Sequence, residues 1–197
     1  MFGLFDKRGS APITLEQKLE SLARLGLKLA SPFTAQDLLE SWNRQEFEQP
    51  GFDLTLVGLG MTEERPPWRN HCVNAWHFDT ECIEDSGSYV RIARRIAELT
   101  QGSLVLTNVR DSVDIEGGLA TLDFEHSGKT VHIDCKVNDD WVDPTVFGHF
   151  VRLLAVADPS KIFLYYDTGG QDCVIACVSR DQFSALKKAG VNFRQLT

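Results

Sequence analysis

The stretch "LATLDFEHSGKTVHIDCKV", residues 119–137, constrains the fold more than any other part of the chain. Apolar and polar residues alternate on both sides of Ser127-Gly128, the pattern of two strands joined by a tight turn. This turn pairs Phe124 with Val131 and Leu122 with Ile133, and it puts both pairs on one face. The opposite face carries Thr121, Asp123 and Glu125 across from Asp134, His132 and Thr130, with Lys136 further along. A sheet that is apolar on one side needs covering elements, and the flanking sequence supplies them.

Thr14 and Gln17 form a capping box ahead of Leu15, Leu19 and Leu22, with Gly26 as the stop. "SPFTAQDLLESWNRQEF" repeats the logic, with Thr34 as N-cap, Asp37 three residues on, and Leu38, Leu39 and Trp42 as the buried stripe. Residues 1–50 are therefore expected to form an N-terminal arm and a helical hairpin, ended by Pro50-Gly51. Residues 51–197 are expected to form the α+β core, opening on a strand at "FDLTLVGLG" and a second at "AWHFDTEC". A helix over "SGSYVRIARRIAELTQG" has Ser88 as its cap and Gly102 as its stop. Another begins at Asp143-Pro144, with proline in the first helical position and Val146, Phe147, Phe150, Val151 and Leu154 inward. "KIFLYYD" and "DCVIACV" are apolar on both faces, which marks them as central strands, joined by a hairpin at Gly169-Gly170. "SRDQFSALKKAG" reads as a capped final helix and "VNFRQL" as a closing strand. The fold class is α+β: a mostly antiparallel sheet with packed helices and the N-terminal helical hairpin, one compact unit overall.

The formal net charge is −8, and residues 79–143 alone hold fourteen acidic against six basic side chains. Such a surface repels a phosphate backbone, so no nucleic acid is expected as partner, and a basic protein is. No apolar run approaches the roughly 18 residues of a membrane span, and no secretion or lipidation signal is present, so no membrane association and a soluble, cytoplasmic protein are expected. Five irregularly spaced cysteines suggest reduced thiols. Cys173 and Cys177, four residues apart on one strand, would stand about 13 Å apart at ~3.3 Å per residue, too far for a disulfide.

"NHCVNAWHFDTEC" gathers His71, Cys72, His77 and Cys82 at the spacing HC-x4-H-x4-C, without the tight ligand pairs of a structural zinc site. Read as a strand, it sends Trp76, Phe78, Thr80 and Cys82 to one face and His77, Asp79 and Glu81 to the other. The cysteines then read as core filler, and His77, Asp79 and Glu81 remain as a polar row, a candidate partner-binding strip. In "YYDTGGQDC" a two-residue turn would set Asp167 opposite Asp172. Either the loop opens to four residues with both aspartates hydrogen-bonding turn amides, or a cation or a basic partner group sits between them, which makes these two the weak metal candidates. "VNDDWVDP" surrounds Trp141 with Asp139, Asp140 and Asp143, the composition of an interface anchor for a basic partner or of a staple over the following helix. Asp114 and Glu116 extend the same acidic stretch.

The hairpin's outer face resembles, over about fifteen residues, metal-dependent nucleases of the PD-(D/E)xK type. That resemblance implies Asp123 and Asp134 as metal-holding carboxylates and Lys136 as the group steadying the attacking water. The proline before the first acid is missing, with Leu122 in its place. No G-x-S-x-G elbow, P-loop, dinucleotide fingerprint or H-E-x-x-H occurs, and no cofactor is implied. The sequence thus points to an acidic protein-binding domain, for example an immunity or inhibitor protein that neutralises a basic toxin. A divalent-metal hydrolase using Asp123, Asp134 and Lys136 is the alternative. Oligomeric state is left open.

Overall fold

The computed structural model describes residues 13–197; the arm that precedes the first helix lies outside the described residues. Helix α1 (Leu15–Arg24) opens on the Thr14–Gln17 capping box. The second arm of the expected hairpin is not one helix but two short ones, α2 (Ala35–Leu38) and α3 (Arg44–Phe47). Two complete capping boxes compete for that segment. Thr34 with Asp37 starts α2, and Asn43 with Glu46 restarts the chain as α3. The buried Lys18 ammonium ties α1 to the end of α3 by donating to the carbonyls of Phe47 and Gln49.

"FDLTLVGLG", expected as a strand, is helix α4 (Asp53–Gly60). A short run that is apolar throughout fits a buried helix as well as a buried strand, and its glycines decide between them here. A Cβ at Gly60 would lie 2.3 Å from the backbone nitrogen of His77, so the helix rests directly on the backbone of the next strand.

That strand is β1 (Ala75–Asp79), followed by α5 (Ser88–Leu99), β2 (Thr107–Asp114), β3 (Leu119–His126), β4 (Lys129–Lys136) and α6 (Thr145–Ala157). The chain then runs through β5 (Lys161–Asp167), β6 (Asp172–Ser179), α7 (Arg180–Lys188) and β7 (Arg194–Gln195). A four-stranded sheet has the order β1-β6-β5-β7 and a three-stranded one the order β2-β3-β4, all antiparallel. The β3–β4 register is the one the alternation demands, Phe124 opposite Val131 and Leu122 opposite Ile133. Ser127 and Gly128 both take positive φ, as a two-residue type I′ turn requires. Strand β2 was not expected from the sequence.

The four-stranded sheet is covered on both faces. Val174, Ala176, Leu164 and Tyr166 pack with residues of α1, α4 and α7 on one side. On the other, Phe78, Phe163, Ile175 and Cys177 share one core with α5, α6 and the inner face of the three-stranded sheet. Helices α5 and α6 therefore lie between the two sheets. The start of α5 departs from the sequence reading. Gly87, not Ser88, is the N-cap, and the capping carboxylate comes from β2: Asp111 accepts from Gly87 N at 2.6 Å and Val90 N at 3.1 Å. Pro144 likewise stands at the N-cap of α6, one position earlier than expected. Among the described residues no helix is long and apolar enough to cross a membrane.

Candidate functional site

Strand β1 forms one edge of the four-stranded sheet and pairs with β6, and the β5–β6 hairpin opens to a four-residue loop as expected. The β5–β6 loop is longer than two residues, so Asp167 faces Cys173 and its carboxylate accepts from Gly169 N at 2.9 Å. It is Asp79 that stands opposite Asp172. That like-charge pair is relieved from the side, because His77 Nε2 lies 2.6 Å from Asp172 Oδ2. A carboxylate only accepts, so Nε2 carries the hydrogen. Partial burial pushes the Asp172 carboxyl upward, but hydrogen bonds from His77 and Thr168 outweigh it and hold the group below the usual carboxylate range. Asp79 in turn accepts from Glu81 N at 2.9 Å.

Beyond Asp79 the chain leaves the strand and locks onto the loop before α6. Val142 N donates to Thr80 O, Cys82 N and Ile83 N both donate to Asp140 O, and Glu81 forms an isolated β-bridge with Trp141. The structure thus brings Glu81, Asp140 and Trp141 together, with Asp139 next to them in the chain, whereas His77 and Asp79 lie on the face of β1 opposite Phe78. Asp143 is occupied internally: it accepts from Lys136 N at 2.8 Å and from Thr145 N at 2.9 Å. Burial alone would raise its carboxyl, and these bonds bring it below its ordinary value instead. Asp114 closes the β2–β3 turn by accepting from Gly117 N, and Glu116 projects from that turn. The turn joins the same surface through the bond from Val137 N to Gly118 O.

Trp141 is 41% exposed and forms the lip of a cavity of about 550 Å³. The floor is Phe78, Tyr165, Cys173 and Ile175 from the sheet and Phe147 from α6, with Val142 beside the lip. Gly170, Gln171 and Asp172 form one rim, Arg194 and Gln195 the other. The sequence singled out Trp141 and Asp172 but not the cavity between them. Its lining comes from five separate segments, and no local pattern joins them.

The hairpin carboxylates do share an outer face, as expected, but with other partners. His132 sits between them, Nδ1 at 2.7 Å from Asp123 and Nε2 at 3.3 Å from Asp134, while Arg110 Nε is 3.7 Å from Asp123. With a carboxylate at each ring nitrogen, both must carry hydrogens, and the hydrogen bond and charge of Asp123 raise the His132 pKa accordingly. The His132 ring therefore stands where the resemblance would place a metal ion. Lys136 is exposed at the strand's end. Among the described residues no group of three or more His, Cys, Asp or Glu is placed to hold a metal ion. Cys72 and Cys82 pack against different clusters, and His71 Nδ1 is bound to Gly58 O at 2.9 Å. No protein-family model, no curated protein and no solved structure matches this chain.

Proposed function

We propose that the protein is an acidic protein-binding module whose docking face is the edge formed by β1, residues 79–84 and the loop 138–142, and that its partner is basic. This is the profile of an immunity protein covering the site of a basic toxin such as a nuclease. The observation that carries the reading is Trp141: a half-exposed indole over an apolar cavity, bridged to Glu81 and preceded in the chain by Asp139 and Asp140. A buried aromatic anchor within a charged rim is the usual anatomy of an interface hot spot, where truncation costs about 2 kcal/mol or more, roughly 30-fold in affinity. Rim carboxylates chiefly accelerate encounter with a partner of opposite charge, and salt weakens that effect.

The test is affinity capture from the host's lysate at low and high salt, with the wild type beside a Trp141→Ala, Asp139→Asn, Asp140→Asn variant of unchanged circular dichroism. A basic protein held by the wild type at low salt, released at high salt and lost by the variant is the expected result. Identical capture by both proteins, or no basic protein retained at low salt, refutes the reading.

A further inference from the structure

We infer that the cavity under Trp141 binds a small carboxylic acid with an aromatic body, its carboxylate on Arg194 and its rings between Trp141 and the sheet. This goes beyond the docking face, whose acidic residues Glu81, Asp139 and Asp140 line no part of the cavity. Strand alternation decides which side chains face in. On β6, Cys173 and Ile175 pack with the core on the cavity side of the sheet, whereas Val174 and Ala176 pack on the other, and Asp172 shares their parity. Its carboxylate accordingly bonds His77, away from the cavity. Arg194 has the opposite assignment. It stands directly across from Tyr165, and residues opposed in an antiparallel ladder share a face. Phe193 before it packs on the far side of the sheet, and Leu196 two residues on packs on the near one. Among the described residues Arg194 is thus the one charged side chain turned to the cavity.

Among the described residues no aspartate or glutamate forms an ion pair with that guanidinium. Tyr165 and Cys173 add no negative charge, because burial pushes the phenol above its ordinary value and the thiol up to about 12. A cationic fork at the end of a neutral floor calls for a planar anion, and a guanidinium matches a carboxylate bidentately. One arginine balances one negative charge. The start of α6, which also lines the cavity, brings no second anion site, since its first amides are taken internally: Thr145 N donates to Asp143 Oδ1, Val146 N to Asp143 O and Phe147 N to Pro144 O. A monocarboxylate therefore fits better than a phosphate dianion. Phe78, Trp141, Phe147 and Tyr165 offer ring faces and edges, which favour an aromatic body over an alkyl chain. Register sets its length. Phe78 stands opposite Cys173, two residues along β6 from the Ile175 that faces Tyr165, so three strand spacings and two residues separate Phe78 from Arg194. That is roughly 16 Å between Cα atoms at ~3.3 Å per residue and ~4.8 Å per strand, room for two fused rings once the arginine side chain has taken its part. A volume of about 550 Å³ is within the range of small-ligand pockets.

The probe is naphthylpropionate, titrated into the full-length protein and followed by ¹H–¹⁵N NMR. Its neutral amide, the matching naphthylpropylamine and octanoate serve as comparisons. Saturable shifts should centre on the amides of Trp141, Gln171, Ile175 and Arg194. The acid should bind about tenfold more tightly than the amide, octanoate several-fold more weakly than the acid, and the amine not at all. Arg194→Gln should bring the acid down to the affinity of the amide, while the amide keeps its wild-type affinity and so reports that the cavity is still formed. Trp141→Ala should weaken acid and amide alike and leave their ratio unchanged. Absent or scattered shifts, an amine that binds as well as the acid, or octanoate that matches it overturn the inference. So does a preference for the acid that survives Arg194→Gln. Loss of the amide together with the acid in that variant would make the arginine a support of the cavity rather than the partner of the carboxylate, and overturns it as well.

Discussion

Substituting Gly60 by alanine isolates the contact between α4 and the sheet. The new methyl would sit 2.3 Å from His77 N and 2.8 Å from the Trp76 carbonyl carbon, where ordinary contact begins at 3.4 Å. Both atoms belong to the backbone of β1, which is fixed by its ladder to β6. Neither can rotate aside, so the helix must lift by about 1 Å and loosen the packing of Leu56 and Leu59 beneath it. Overpacking of this kind costs typically ~1–3 kcal/mol, and the gain in helix propensity returns at most about 1 kcal/mol, less at a helix end. We expect a net loss of about 2 kcal/mol, the upper part of the range once the propensity gain is subtracted. Gly58→Ala is the internal control, because its methyl meets the end of the Leu38 side chain at 3.0 Å, and a side chain can turn away. Its effect should stay within about 1 kcal/mol of zero. Urea unfolding of the two variants, compared by midpoint at constant slope, measures both. Equal effects at the two positions, or a Gly60→Ala protein as stable as the wild type, would show that α4 does not bear on the β1 backbone.

Three further outcomes are expected. Asp111→Ala removes the side-chain cap of α5 and strands two backbone donors, so urea unfolding should show a loss of about 2–3 kcal/mol. The His132 resonance should titrate above the ordinary imidazole value and fall toward it in Asp123→Asn, with Asp134 holding the remainder of the shift. Since the folded pKa is the raised one, the stabilisation this pair provides is fully present below the unfolded-state pKa and fades as pH rises through the folded one. The thiols of Cys135, Cys173 and Cys177, pushed up to about 12 by burial, should resist iodoacetamide in the native protein at mildly alkaline pH and react once it is denatured.

Elements whose period survives in the sequence were legible there. The β3–β4 hairpin was readable to the residue because its central inward positions, Leu122, Phe124, Val131 and Ile133, are all apolar. Strand β2 was not, and Asp111 is the reason: it occupies an inward position opposite Leu122, where alternation calls for an apolar residue, because it caps α5. Helix α4 was misread because its identity depends on what Gly58 and Gly60 touch, which is tertiary information. The acidic row at His77, Asp79 and Glu81 was visible, as was the exposed Trp141. That the two meet depends on backbone bonds from 80–83 to 140–142, between segments about sixty residues apart. The cavity, assembled from both sheet and helix, had no signature in any one of them.

His77 and Asp172 touch although 95 residues separate them, and everything from α5 through β5 lies between. Closing a loop of that length costs about 2–3 kcal/mol more than closing a four-residue turn, by the logarithmic dependence of closure entropy on length. The three-stranded sheet β2-β3-β4 needs only local turns and can form early, whereas β1 must wait for β6 to be made before it has a partner. Phe78 and Asp172, which bound the cavity from these two strands, come together only at that late step. The cavity under Trp141 is therefore complete only in a chain that has finished folding, and a partially folded one presents the acidic loop without the cavity beneath it.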